Sequence, residues 1–266
     1  MLAQQRQQAI LERVRSSGGV RVADLVRELG VSDMTIRRDL EVLAERGLLE
    51  KVHGGATAAG PGSTEEPGFA AKSARQQPEK EAIARQAARL VRPGTAIALS
   101  AGTTTWTLAH FVTDVPELTV ITNSIRIADV FHRSPRADRT VVLTGGVRTP
   151  SDALVGPVAV AAIRGLHVDT LFLGVHGMSS RAGFTTPNLL EAETDRELVA
   201  SAHRLVVPAD HTKWGTVGIS TIARLSEAHV VISDPGLPQE AREEISAQTG
   251  ELVIAEPEQD RQVAGR

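Results

Sequence analysis

The chain has no cysteine, and aromatic residues make up only 3% of its 266 positions. Without thiols there can be no disulfide, no thiolate metal site and no thiol nucleophile, which suits a reducing compartment. With so few rings, the core must be built from Ala, Val, Leu and Ile. No run approaches the ~20 consecutive apolar residues of a membrane span. The first stretch, MLAQQRQQAILERVR, lacks the apolar run of a secretion signal. A soluble, cytoplasmic protein with no membrane partner is expected. A strong basic excess is missing too: the formal net charge is −3, and residues 1–60 hold nine Lys plus Arg against eight Asp plus Glu. The eight histidines include no H-x-x-x-H or H-E-x-x-H spacing, so neither a metal nor a cofactor is expected. Hydrophobic content of 41% and charged content of 23% are ordinary for a globular chain. The length allows two domains.

What is present begins with Val31-Ser32-Asp33-Met34-Thr35-Ile36-Arg37-Arg38-Asp39-Leu40, a turn feeding a helix. Ser32 suits the N-cap, and Asp33 suits the positive end of the helix dipole. Ile36, Leu40 and Leu43 recur at i, i+4 and i+7 and form one buried stripe. Met34, Arg37, Arg38 and Glu41 then face away from it, with Thr35 at the margin. A helix packed on one side that offers guanidinium and hydroxyl groups on the other has the form of a DNA-reading helix. Before it, residues 4–16 read as a helix, 20–22 as a short strand, and 23–29 as a helix closed by Gly30. Two helices joined by so short a turn make a helix-turn-helix. After Gly47, residues 48–55 read as a hairpin or wing from which Lys51 and His53 can reach phosphate or a minor groove. With net charge so balanced, DNA binding must rest on Arg21, Arg37, Arg38 and Lys51 gathering on one face. The alternative is a three-helix packing module whose arginine pair is solvated surface.

Thr35-Ile36-Arg37-Arg38-Asp39-Leu40, followed by His53-Gly54-Gly55-Ala56, resembles the amino-terminal signature of the DeoR/GlpR family of bacterial transcriptional regulators. The resemblance implies a winged helix-turn-helix that binds double-stranded operator DNA, usually as an oligomer (dimer or tetramer) and usually as a repressor. It places Arg37 and Arg38 in the recognition helix.

Residues 56–66 have the small, polar, Gly- and Pro-rich composition of a linker. The expected organisation is a DNA-binding domain at 1–57, a linker at 58–78, a second domain at 79–256 and a tail at 257–266. The second domain opens with a helix whose apolar side carries Ile83, Ala87, Leu90 and Val91. Short apolar runs follow at 96–99, 118–121, 140–143, 170–175, 204–207, 230–232 and 252–254. Helical segments alternate with them at 105–112, 125–132, 158–163, 189–202, 222–227 and 239–248. Near-continuous apolar strands alternating with helices argue for an open, doubly wound, Rossmann-like parallel α/β sheet.

In such sheets ligands bind outside the carboxyl ends of the strands. There the chain places Gly102, Thr103, Thr104 and Thr105, then Asn123 and Ser124, then Gly145 and Gly146, then His176, and then Lys213. Glycine allows close backbone approach, threonine hydroxyls donate, and a helix start offers free amides to an anion. A phosphorylated small molecule fits: threonines and amides on the phosphate, Lys213 neutralising charge, Asn123 and Asp152 on hydroxyls. Each motif alone is also explained by an ordinary turn or cap.

These motifs, with Ala209-Asp210-His211-Thr212-Lys213-Trp214-Gly215, are similar to successive motifs of the DeoR-type sensor domain, and the likeness runs to about Asp234. It implies a fold like ribose-5-phosphate isomerase and the sensing of phosphorylated sugars, hence control of carbohydrate-metabolism genes. The family commonly has an aspartate and a serine before Gly-Thr-Thr, where this chain has Ser100 and Ala101. A second reading is an isomerase with an added DNA-binding arm. The Asp-Gly-x-Asp pattern of those isomerases aligns with Leu173-Gly174-Val175-His176, which has neither aspartate. Glu197 matches the position of their catalytic glutamate but reads as a surface ion pair beside Arg196. A regulator without catalysis is the expected function.

Overall fold

The computed structural model describes residues 3–17, 19–46, 48–52, 54–58 and 68–257, and the chain divides into two compact units, Met1–Gly62 and Ser63–Arg266. The first unit runs α1 (Ala3–Ser17), β1 (Gly19–Arg21), α2 (Val22–Leu29), α3 (Asp33–Glu45), β2 (Leu49–Val52) and β3 (Gly55–Ala58). The short turn between α2 and α3 is closed by Gly30 in the left-handed region, φ 65°, its amide donating to the Val26 carbonyl. Ser32 caps α3 by accepting from the Thr35 amide. Ile36, Leu40 and Leu43 are buried together with Ile10, Val14 and Leu25, so the three helices share one core. The wing is antiparallel, in the order β1-β3-β2. At Gly55 a Cβ would sit 2.1 Å from the Val20 carbonyl oxygen, so only glycine lets β3 lie this close to β1.

The second unit contains α4 (Phe69–Ser73), α5 (Gln77–Ala88), β4 (Ala96–Leu99), α6 (Thr103–Phe111), β5 (Thr119–Thr122), α7 (Ile125–Arg133) and β6 (Thr140–Leu143). A small hairpin, β7 (Val147–Arg148) and β8 (Leu154–Val155), leads to α8 (Pro157–Ile163), β9 (Val168–Phe172), β10 (Gly177–Ser179) and β11 (Gly183–Thr186). The chain ends with α9 (Leu189–Ser201), β12 (Ala202–Pro208), β13 (Ser220–Ala223), β14 (Val230–Ser233), α10 (Gln239–Gln248) and β15 (Leu252–Ile254). Seven strands form a parallel sheet in the order β15-β14-β12-β9-β4-β5-β6.

Successive strand residues serve opposite faces. Ile97, Val120, Phe172 and Val206 pack with Ile83, Leu108 and Ile127 from α5, α6 and α7. Ala98, Ile121, Leu171 and Leu205 pack with Ile163, Leu198 and Ile245 from α8, α9 and α10. Both faces are therefore covered, which explains the near-continuous apolar strands.

Three expectations are corrected. Residues 222–227 are not a helix: β13 pairs with β11 in a separate antiparallel sheet, β10-β11-β13, and Leu225–Glu227 is a single 3-10 turn. Thr221 and Ile222 are β-branched, and the segment Ser220–Ala223 that carries them takes the strand. The stretch 58–78 is not all linker, because Ala58 closes β3, Phe69–Ser73 forms α4 and α5 starts at Gln77. Phe69 is buried, its ring edge-on to Trp106 at 5.7 Å, so that segment belongs to the second core. Val22 opens α2 and is not part of the first strand. The remainder of the proposed linker, residues 59–67, and all of the proposed tail except Pro257 lie outside the described residues.

Candidate nucleic-acid interface and effector cleft

On α3, Met34, Arg37, Arg38 and Glu41 are exposed and Thr35 is half-buried, as the periodicity requires. Arg37 Nε donates to Asp33 Oδ1 at 2.5 Å, one helical turn back. That hydrogen bond, more than the charge beside it, raises the arginine pKa above its ordinary value. Lys51 on β2 donates to Glu41 on α3 at 2.9 Å, and that hydrogen bond lowers the glutamate pKa. Both pairs are exposed, and such pairs are held loosely in water. Duplex phosphates can therefore take either cation. Arg21 is exposed at the end of β1. Ser32 is committed to the cap, its hydroxyl 2.8 Å from that of Thr35. His53 lies outside the described residues.

Asp39 was not foreseen. It sits on the buried side of α3, only 4% exposed, and accepts from Arg6 Nε at 2.5 Å and Gln7 Nε2 at 3.0 Å. Its spacing, i+3 from Ile36, was the available signal: a polar residue on an apolar stripe must find a partner.

The second site lies where the sheet order reverses. After β4 the chain builds outward through β5 and β6, and after β9 it builds the other way through β12, β14 and β15. The loops leaving β4 and β9 part there and open a cleft. The Gly174 amide donates to Ser100 Oγ across these two loops, and the Ala101 amide donates to Asn123 Oδ1 in the loop after β5, both at 2.8 Å. Ser100, where the family pattern has aspartate, thus serves as a loop fastener.

Gly102, Thr103 and Thr104 line this cleft, as do Asn123, His176 and Lys213. Gly102 is the N-cap of α6 and has no side chain to satisfy the first-turn amides. By contrast, α7 and α9 are capped by the Ser124 and Asn188 side chains. An uncapped helix start beside a lysine is an anion site. Lys213 is carried on a 3-10 turn fastened by Asp210, which accepts from the Thr212 amide, and by Asp234, which accepts from the His211 amide at 2.7 Å.

Five expected residues are not brought to the cleft. Thr105 is fully buried, its hydroxyl donating to the Gly102 carbonyl. Ser124 is spent on capping α7. Gly145 and Gly146 make the turn between β6 and β7, where a Cβ on Gly146 would meet the Val155 carbonyl oxygen at 2.5 Å. Asp152 is held by Arg126 and Arg148. Burial pushes its pKa up, but the hydrogen bonds and charges of the two arginines together hold it below the ordinary value. That carboxylate does not line the cleft.

The cleft contains residues that the sequence did not single out. Glu191 and Asp195, one turn apart on α9, both line it. Glu191 accepts from the hydroxyls of Thr149 at 3.0 Å, Thr186 at 2.8 Å and Ser151. Asp195 is pushed well above the ordinary carboxylate range, first by burial and then by the charge of Glu191, with Arg196 opposing. Lys72 reaches the cleft from α4. Glu197 does not line it; that side chain pairs with Arg164 at 3.1 Å. A roomier groove of about 420 Å³ runs along α6 and α7 beside Trp106, His110, Arg126 and Arg133, but none of the expected effector residues lines it.

Two family models match the chain: a DeoR-like helix-turn-helix domain over residues 6–61 and a DeoR C terminal sensor domain over residues 75–235. The uncharacterized HTH-type transcriptional regulator YgbI of Escherichia coli K12 is 36% identical over 97% of this chain and all of its own length. The HTH-type transcriptional regulator GlpR of Haloferax volcanii is 37% identical, covering 93% of this chain and 96% of its own. The glycerol-3-phosphate regulon repressor of Escherichia coli K12 is 30% identical, covering 88% and 92%. Among solved structures, ribose 5-phosphate isomerase A from Methanocaldococcus jannaschii aligns with 52% of this chain and 54% of its own, at 15% identity and a TM-score of 0.38.

Proposed function

The chain belongs to the DeoR family of transcriptional regulators, and from that premise we propose that α3 and the wing grip operator DNA while a phosphorylated sugar in the cleft sets their affinity. The carrying observation is that one chain holds both parts. The first unit exposes Arg37 and Arg38 on a helix whose other side is core. The second holds Lys213, Thr103 and Thr104 around the uncapped start of α6. Arg37 and Arg38 read base edges or phosphate in the major groove, and Arg21 and Lys51 neutralise the backbone. His53, outside the described residues, completes the proposed DNA-contacting set.

In the cleft, phosphate sits on the α6 amides, Thr103, Thr104 and Lys213, while Asn123, His176 and the acidic pair Glu191 and Asp195 face the hydroxyls. A protonated Asp195 can donate to a hydroxyl, and Glu191 can accept from one. The relative named a glycerol-3-phosphate regulon repressor supports repression as the sign of control and a small phosphorylated polyol or sugar as the ligand class. Genes of carbohydrate metabolism are the corresponding targets. The protein acts as a homo-oligomer, dimer or tetramer, in the cytoplasm and without catalysis. Among the described residues no helix is long and apolar enough to cross a membrane.

The test is a gel-shift titration against DNA flanking the protein's own gene, with and without a panel of sugar phosphates. Arg37→Ala and Arg38→Ala should lose specific binding, and one sugar phosphate should shift the wild-type midpoint. Wild-type affinity in both variants, together with indifference to the whole panel, would refute the assignment.

A further inference from the structure

We propose that α4 is an effector-operated latch: Lys72 supplies the second cationic contact to the bound phosphate, so that ligand binding anchors the segment through which the chain leaves for the DNA-binding unit. The inference rests on the phosphate reading of the cleft.

Lys72 lines the same cleft as Gly102, Thr103, Thr104 and Lys213. Two lysines from unrelated elements that line one cleft with an uncapped helix start suit a doubly charged group. The position of Lys72 is set with care. Lys80, 3% exposed on α5, donates through Nζ to the carbonyls of Lys72 and Arg75, both at 2.5 Å. The Lys72 carbonyl also accepts from the Arg75 amide at 3.3 Å, so Lys80 reinforces the end of a five-residue helix. The ammonium of Lys80 also feels the charges of Asp210 and Lys213, so this clamp and the Lys213 turn are neighbours.

At its other end α4 is pinned by Phe69. That ring lies edge-on to Trp106 and beneath the Arg126 guanidinium at 4.2 Å. Trp106 is in the first turn of α6, its amide donating to the Gly102 carbonyl at 3.0 Å. A phosphate on α6 therefore bears on α4 twice, through Lys72 and through the Trp106–Phe69 contact.

Two further facts make α4 the element that answers. As it stands the cleft encloses about 50 Å³, whereas small-molecule sites are typically ~300–1,000 Å³. Some lining element must yield to admit a ligand, and α4 is a single short turn of helix rather than part of the sheet. In sequence, only residues 59–67 separate Gly68, the N-cap of α4, from the end of β3 in the wing.

The experiment uses the full chain, with inorganic phosphate and glucose 6-phosphate as probes. Binding is read from Trp106 and Trp214 emission, and backbone protection from hydrogen exchange of peptides spanning residues 68–76. In the wild type both probes should bind and slow exchange in that span. Lys72→Gln should weaken both probes about tenfold, the loss of one charge-assisted contact, and abolish the added protection at 68–76. Lys72→Arg should restore both, which a merely structural role would not require. If Lys213→Gln weakens the probes while Lys72→Gln binds them normally and still gains protection at 68–76, the latch falls and the phosphate reading stands. If neither probe binds the wild type, or both glutamine variants bind as it does, the two fall together.

Discussion

On α3, Arg37 and Arg38 stand in solvent while Ile36 and Leu40, their neighbours in sequence, are sealed in the core of the first unit. Substitutions at these positions should therefore fail in different ways. Arg38→Ala removes a base-reading group and should cost about 1–3 kcal/mol of operator binding, with an unchanged thermal midpoint. Leu40→Ala, at a site 2% exposed, should cost about 2–5 kcal/mol of stability and lose DNA with the fold. Circular dichroism beside a gel shift separates them; an Arg38 variant that melts early would mean that the side chain serves packing.

In the cleft the informative residue is Asp195, held well above the ordinary carboxylate range by burial beside Glu191. The folded state then keeps a proton that the unfolded chain releases. The contribution of this group to stability is fully present at acid pH and declines as pH climbs from the ordinary carboxylate value toward the raised one. Asp195→Asn should raise the thermal midpoint at pH 8, with a gain that shrinks toward pH 5. An equal change at both values would show that its charge is not the issue.

Among the elements, α6 is the one whose start is left without a side-chain cap at the cleft, and the cause is Gly102. Its φ of 163° is extended backbone open to any residue, and a Cβ there would meet the Thr105 hydroxyl at 3.0 Å and, at an ordinary contact distance of 3.6 Å, the Gly174 Cα. Gly102→Asp should therefore fold, cap α6 with its own carboxylate and repel phosphate. We expect sugar phosphates to bind at least about tenfold more weakly, the effect of losing one charge-assisted contact, with operator binding retained. Titrated tryptophan emission reads the first and gel shift the second; undiminished ligand affinity would move the phosphate elsewhere.

Most elements could be read from the chain because they are long and regular. The apolar runs at 96–99, 140–143 and 252–254 coincide with β4, β6 and β15, and the other four runs overlap β5, β9, β12 and β14. The sheet β10-β11-β13 could not be read. Gly177–Ser179 and Gly183–Thr186 are three and four residues of Gly, Ser, Thr, Met and Phe, too short for any period to show.

For the whole molecule, control requires two arrangements that the ligand contacts differently. A coupling of about 1–3 kcal/mol gives a 5–150-fold change in operator affinity, which is the range to expect from the correct sugar phosphate. Operator binding should also weaken steeply with salt, log K falling by roughly 0.9 per phosphate neutralised for each tenfold rise in salt concentration. Lys51→Ala should flatten that slope by about one unit and leave sequence preference alone. A slope unaffected by the substitution would take Lys51 off the backbone.

What the sequence determined by itself is everything that depends on near neighbours: the arginine helix and its cap, the seven parallel strands, and the clustering of Gly, Thr, Asn and Lys at strand ends. These follow from 3.6- and 2-residue periods and from side chains acting within a few positions of themselves. Which of those strand-end residues face one another was decided only by tertiary packing. Asp152 was taken out of the site by Arg126, 26 positions away, and Glu191 and Lys72 were brought into it from α9 and α4. A charge takes its role from whatever packs against it, and segments remote in the chain become neighbours only once the sheet has assembled.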